Sequence, residues 1–170
     1  MNHYSFKKFQ KGIGLPEILV SMLLLGISVI GFAALQIRAL GSTNEAMYRT
    51  QAMAAAQEFS ERMRLNPNAS ATYRNNWTTT AVASTYCETN TCTAIQMAQY
   101  DMRTMSELVA AILPNGRIAV LPCINRTNLC VYVSWGETTP TKGSATTDCS
   151  MDSDSYVANA SCVKLETSTL

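Results

Sequence analysis

The chain has 170 residues, 47% of them hydrophobic and 15% charged, which supports one packed domain plus an appendage and excludes a disordered chain. Net charge is +1, and without Lys7, Lys8 and Lys11 the acids outnumber the bases. No Lys/Arg stripe remains beyond those three, so nucleic-acid binding is not indicated.

The opening segment, MNHYSFKKFQKG, carries the three lysines and no acid. From Ile18 to Ile37 no side chain is charged, a run long enough to cross a bilayer at about 20 residues and 1.5 Å per residue. A basic segment before an apolar run also describes a secretory signal. Here, however, the small residue that could mark a cut, Gly12, precedes the run, and no A-x-A site follows Leu35. Glu17 stands at the start of the run, where a carboxylate is costly unless partnered and therefore marks function. If the chain is cut after Gly12, Ile13 becomes the N-terminus and Glu17 lies one helical turn from a free amine of opposite charge. The lysines hold the N-terminus in the cytoplasm, so all that follows the span faces outward.

The helical pattern continues through RALGSTNEAMYRTQAMAAAQEFSERMRL, with Leu40, Met47, Phe59 and Met63 as its apolar positions. Glu45 with Arg49 and Glu58 with Arg62 are acid-first i,i+4 pairs that support an exposed helical face. Asn66-Pro67-Asn68 stops the helix, because a residue before proline avoids helical angles. Ala52, Ala54, Ala55 and Ala56 either favour helix or leave room for a neighbouring helix.

A second helix is expected from about Thr93 to Leu113, with Ile95, Met102, Met105, Leu108, Val109 and Ile112 on its apolar side. Pro114-Asn115-Gly116 ends it. Arg117 to Leu121 and Cys130 to Trp135 are β-branched and apolar and read as a hairpin, with a third strand from Ser161 to Glu166. Asp152-Ser153-Asp154 lacks the glycine and bidentate glutamate of a calcium loop and reads as a solvated turn.

Six cysteines, Cys87, Cys92, Cys123, Cys130, Cys149 and Cys162, all follow the apolar run. An even count on one side of a membrane segment reads as disulfides in an oxidising compartment, in agreement with the outward-facing head. A zinc site is the rival, but only Cys87 and Cys92 approach the spacing it needs. Fifteen pairings are open; the preferred one joins neighbours, Cys87 with Cys92, Cys123 with Cys130 and Cys149 with Cys162. His3 is the sole histidine and lies in the basic leader, so its removal leaves no histidine for triad catalysis or metal binding. No catalytic residues and no cofactor are expected.

Gly12, Ile13 and Glu17, followed by Ile18-Leu19-Val20 and the apolar stretch, resemble the type IV prepilin signature. The resemblance implies that a prepilin peptidase cuts between Gly12 and Ile13, that Ile13 is N-methylated, and that Glu17 pairs with the amine of a neighbouring subunit. Gly14 and Pro16 depart from the family's usual residues, and the helix-kinking proline of major pilins is missing. Gln57 to Asn68, Tyr100-Asp101, Leu113-Pro114-Asn115-Gly116 and Val131 to Trp135 resemble minor pilins of the V type (PilV-like). The implied fold is α+β: a long N-terminal helix packed on a small antiparallel sheet. The organisation expected is a leader over 1–12, a transmembrane and assembly helix over 13–37, its periplasmic continuation over 38–66 and an α+β head over 67–170. The implied function is a minor pilin that primes pilus assembly and sits at or near the tip. Its partners would be prepilin peptidase, other minor pilins and pilin subunits, and the inner-membrane assembly platform. Two alternatives are a minor pseudopilin of a type II secretion system and a membrane-tethered ligand-binding module. The second would be favoured by an exposed patch at Tyr73, Arg74 and Trp77.

Overall fold

The computed structural model describes residues 12, 14–74, 87–124 and 126–167. The chain divides into two compact units, Met1–Asn44 and Glu45–Leu170. Helix α1, Leu15–Leu65, runs through the boundary. Its first turn starts cleanly: Glu17 and Ile18 donate their backbone N–H groups to the carbonyl of Gly14. Pro16 is harmless there, because a first-turn N–H has no helical acceptor to lose.

In the second unit α1 buries Ala52, Ala55, Ala56, Phe59 and Met63, a stripe at helical spacing. The stripe meets Ala98, Met102, Met105 and Val109 of α3 (Ala94–Ile112) within one core. Thr93 caps α3 with a reciprocal box: its hydroxyl accepts from the Gln96 N–H at 3.3 Å, and the Gln96 side chain accepts from the Thr93 N–H at 2.9 Å. Between the two helices lie a single 3-10 turn, Pro67–Ala69, and the short α2, Ser70–Tyr73.

Strands β1 (Arg117–Pro122), β2 (Leu129–Ser134) and β5 (Cys162–Glu166) form an antiparallel sheet in the order β1-β2-β5. Register pairs Val120 with Val131 and Val133 with Val163. Period-two alternation gives the sheet two buried faces. Ile118, Val120, Val131, Val133 and Val163 join the helical core, whereas Cys130, Tyr132 and Cys162 join a second cluster with Cys123, Cys149, Val157 and Ala160. That second cluster is covered by the C-terminal layer, which holds a parallel pair, β3 (Thr139–Lys142) and β4 (Asp148–Ser150). The β3–β4 pair lies outside the three strands read from the sequence.

Three disulfides staple this unit: Cys87–Cys92, Cys123–Cys130 and Cys149–Cys162. The second ties the ends of β1 and β2, and the third joins β4 to β5. The expected apolar side of α1 needs amending. Leu40 and Met47 are exposed, and the alanines Ala52, Ala55 and Ala56 are buried in the chain's own core, with only Ala54 facing out. On α3, Ile95 and Leu108 are likewise exposed.

The turn from α3 into β1 requires glycine at 116. A Cβ there would stand 2.2 Å from the Val109 carbonyl oxygen and 2.9 Å from the Leu113 Cβ. Both neighbours are fixed by the helix end, where the Leu113 N–H reaches the Val109 carbonyl. Gly116→Ala is therefore expected to destabilise the oxidised protein by about 1–3 kcal/mol through overpacking, as measured by thermal denaturation. A wild-type melting temperature would refute this account of the turn.

Candidate functional site

The candidate site is the surface of the first half of α1. No residue of α1 before Ala52 is buried. Leu25 is 68% exposed, Ile30 72% and Leu35 68%, and the helix is long and apolar enough to cross a membrane. A continuous apolar face of this size is not left to water; it needs lipid or other helices around it. The few polar groups on it are arranged for that setting. Ser21 and Ser28 donate their hydroxyls back to the carbonyls of Glu17 and Leu24, at 2.7 and 2.8 Å, so neither presents an unsatisfied donor.

Glu17 lies in the first turn, where the positive end of the helix dipole favours a carboxylate. Its backbone is engaged at both ends, but its carboxylate has no hydrogen bond or ion pair among the described residues. The helix repeat sets Ser21 and Ser28 on the same face as Glu17. Gly12 is exposed and outside the helix. Ile13 and the leader residues 1–11, with His3, Lys7, Lys8 and Lys11, lie outside the described residues.

In the second unit two polar clusters tie α1 to elements distant in sequence. At its C-terminal end Arg62 donates to Glu58 at 2.7 Å and to Asp101 at 3.2 Å. Asp101, buried on α3, also accepts from the Tyr73 hydroxyl at 2.6 Å. Asn66 donates to the Ala94 carbonyl at 2.8 Å and to the Tyr73 oxygen at 3.3 Å. Burial opposes the Arg62 charge, but its bonds to Glu58 and Asp101 outweigh that and hold its pKa up. At the start of the unit Glu45 takes a bond from Arg49 at 3.0 Å and one from the Trp135 indole at 3.2 Å, with the Arg49 guanidinium 5.6 Å from the Trp135 ring centre.

The expected i,i+4 pairs are thus both present, but each is extended by a partner from the head. Asp101 on α3 and Trp135 after β2 anchor α1 from distant parts of the chain. Their roles as anchors of α1 carry no local signal, since Arg62 and Asp101 are 39 residues apart. Of the trio considered as an exposed patch, Tyr73 is fully buried against Phe59, Trp77 lies outside the described residues, and Arg74 is exposed. All six cysteines are bonded, each to its neighbour in sequence.

A long N-terminal helix, apolar along its first half and packed by its second half on α3 and a small disulfide-stapled antiparallel sheet, is a specific combination. Residues 34–103, from the end of the apolar run through most of α3, match the Tt1218-like family, described as Type IV pilin Tt1218. This is the type IV pilin fold. No curated protein and no solved structure matches the chain. The family match supports a pilin's role, which is structural and exercised among other pilus subunits. The uncovered apolar half of α1 is consistent with membrane anchoring of such a subunit.

The polar cluster at the end of α1 has a measurable signature. Burial, and then the bond donated to Asp101, push the Tyr73 phenol pKa above its ordinary value near 10. The unfolded chain therefore releases this proton at about pH 10 while the folded chain keeps it, so unfolding becomes easier as pH rises further. Tyr132, raised mainly by burial, adds to the same slope. Stability is expected to be flat from neutral pH to about pH 10 and to fall above it, with Tyr73→Phe reducing the slope without abolishing it. Thermal midpoints recorded from neutral to strongly alkaline pH decide this; an unchanged slope in Tyr73→Phe would contradict it.

Proposed function

We propose that this pilin-fold chain is a minor pilin, made as a precursor, which primes pilus assembly and is incorporated at or near the tip. The observation that supports this reading most is the lone carboxylate of Glu17 at the start of an otherwise uncharged, wholly exposed half-helix. In lipid that helix is stable as a span; in a fibre it is stable only beside like helices. A carboxylate in either setting calls for a positive partner. Cleavage by prepilin peptidase between Gly12 and Ile13 would create one, the α-amine of Ile13, which N-methylation leaves charged. Pairing of Glu17 with that amine on an adjacent subunit sets the axial register as the helix leaves the membrane.

The head is periplasmic on this reading, with the N-terminus cytoplasmic before assembly and the whole subunit extracellular in the pilus. Other minor pilins and the inner-membrane assembly platform are its partners. The disulfides suit a small domain in an oxidising compartment.

Processing is tested by mass spectrometry of the membrane-extracted chain, which should begin at a methylated Ile13. A terminus beyond Leu35 would make the apolar run an ordinary signal and end the proposal. Assembly is tested by Glu17→Ala, compared with wild type at equal membrane level. Incorporation into sheared fibres should drop by a factor of about 10 or more, the effect of an unpaired charge costing ~1.4 kcal/mol. Head folding should be untouched, because no residue of the core lies before Ala52. Wild-type incorporation would reduce Glu17 to an interfacial charge.

A further inference from the structure

A cleft of about 280 Å³ opens where three distant segments meet: Ser70 and Ala71 on α2 with Arg74 just after it, Thr127 to Leu129 before and at the start of β2, and Thr167 after β5. Among the described residues the Arg74 guanidinium has no hydrogen bond, ion pair or ring contact, whereas Arg49, Arg62, Arg64 and Arg126 are each paired with an acid. Glu166, the residue before Thr167, is engaged by Arg126 and by the Asn128 side chain. The described lining therefore offers the Arg74 guanidinium, the hydroxyls of Ser70 and Thr127, the part of the Asn128 amide not bonded to Glu166, and the small apolar surfaces of Ala71 and Leu129, with no carboxylate among them.

We propose that this cleft binds a carboxylate-bearing sugar. A planar guanidinium matches a carboxylate with two parallel hydrogen bonds, and it is the one charged group here free to do so. The volume lies at the small end of ligand sites, enough for one sugar ring and too little for a folded peptide segment. Ser70, Thr127 and Asn128 line the wall that the ring hydroxyls of such a ligand would meet, while Ala71 and Leu129 face its less polar side. The Thr167 hydroxyl is tied to the Leu129 carbonyl at 2.9 Å, which fixes the closed end of the cleft. A ligand here would sit at the end of the second unit where α1 terminates.

The experiment uses the full chain in detergent with three probes: glucuronate, glucose and acetate. Saturation-transfer NMR and calorimetric titration should show glucuronate binding with a Kd of about 1 mM, and glucose and acetate at least tenfold weaker. Arg74→Gln should weaken glucuronate tenfold or more at an unchanged melting temperature, since no bond among the described residues passes through this side chain. Thr127→Val should weaken glucuronate and leave acetate as it was. Absence of glucuronate binding, or wild-type affinity in Arg74→Gln, would overturn the site; acetate or glucose matching glucuronate would overturn its assignment to an acidic sugar. The outcome is read on the isolated chain, so it stands or falls separately from incorporation into fibres.

Discussion

Close packing of the second half of α1 against α3 and the sheet is the contact on which the rest of the head depends. Ala52, Ala55 and Ala56 are buried within little more than one turn of α1, and Phe59 and Met63 carry the stripe on towards its C-terminal end. Each fully buried large side chain of this kind contributes about 1.5–3 kcal/mol, far more than any exposed ion pair on the same helix. The valine face of the sheet and the methionine face of α3 join the same core, where α3 also packs on β1. Polar anchors at both ends of the stripe, Trp135–Glu45 and Arg62–Asp101–Tyr73, fix its register rather than supplying most of its energy.

The opposite face of the sheet presents a different problem. Among the described residues no helix covers Cys130, Tyr132 and Cys162; a layer of short strands and turns does. Two of the three disulfides are buried in that layer, and the third closes the loop ahead of α3. A bond such as Cys149–Cys162, enclosing a loop of roughly 15 residues, stabilises by about 3 kcal/mol through the unfolded state. That is the scale of a large core side chain, and it is available where the chain offers few of them. Lys142 adds a further tie, donating to the Pro122 carbonyl at 2.7 Å across the strands.

How far the molecule could be read in advance follows from which of its forces are local. Helical periodicity, the Thr93–Gln96 cap, the Asn66-Pro67 stop and the β-branched runs are local, and they place α1, α3, β1, β2 and β5 within a residue or two. The TPTK segment of β3 carries a proline and no apolar alternation, so nothing in it marks a strand; its pairing with β4 is imposed by the surrounding layer. Alanines gave helix without direction: propensity is the same whether Ala55 faces a neighbouring subunit or the chain's own core. Leu40 and Met47 show the reverse failure, since an apolar residue past a membrane span fits the pattern of a core face and is exposed. Of the candidate site, the uncharged run and Glu17 stand out in sequence by composition alone. The Arg74 cleft does not, because its lining comes from three segments that only the fold unites.

The boundary between the two compact units illustrates the same point. Composition places a break at Asn66-Pro67-Asn68, where the helix stops, yet those residues sit inside the second unit and Asn66 is one of its hydrogen-bonded anchors. The units divide at Asn44, in mid-helix, after the run Gly41-Ser42-Thr43-Asn44. These are four poor helix formers in succession, each costing roughly 0.5–1 kcal/mol relative to alanine. No tertiary contact offsets that cost: all four are exposed, and the bond Thr43 makes, 2.9 Å to the Ala39 carbonyl, stays within the helix. Charge returns to α1 at this point as well, with Arg38 before the run and Glu45 and Arg49 after it. The stretch therefore serves neither apolar burial nor core packing. It is the part of α1 that water must solvate, and helix continuity there rests on the backbone alone, between one half that needs an apolar surround and another that makes its own.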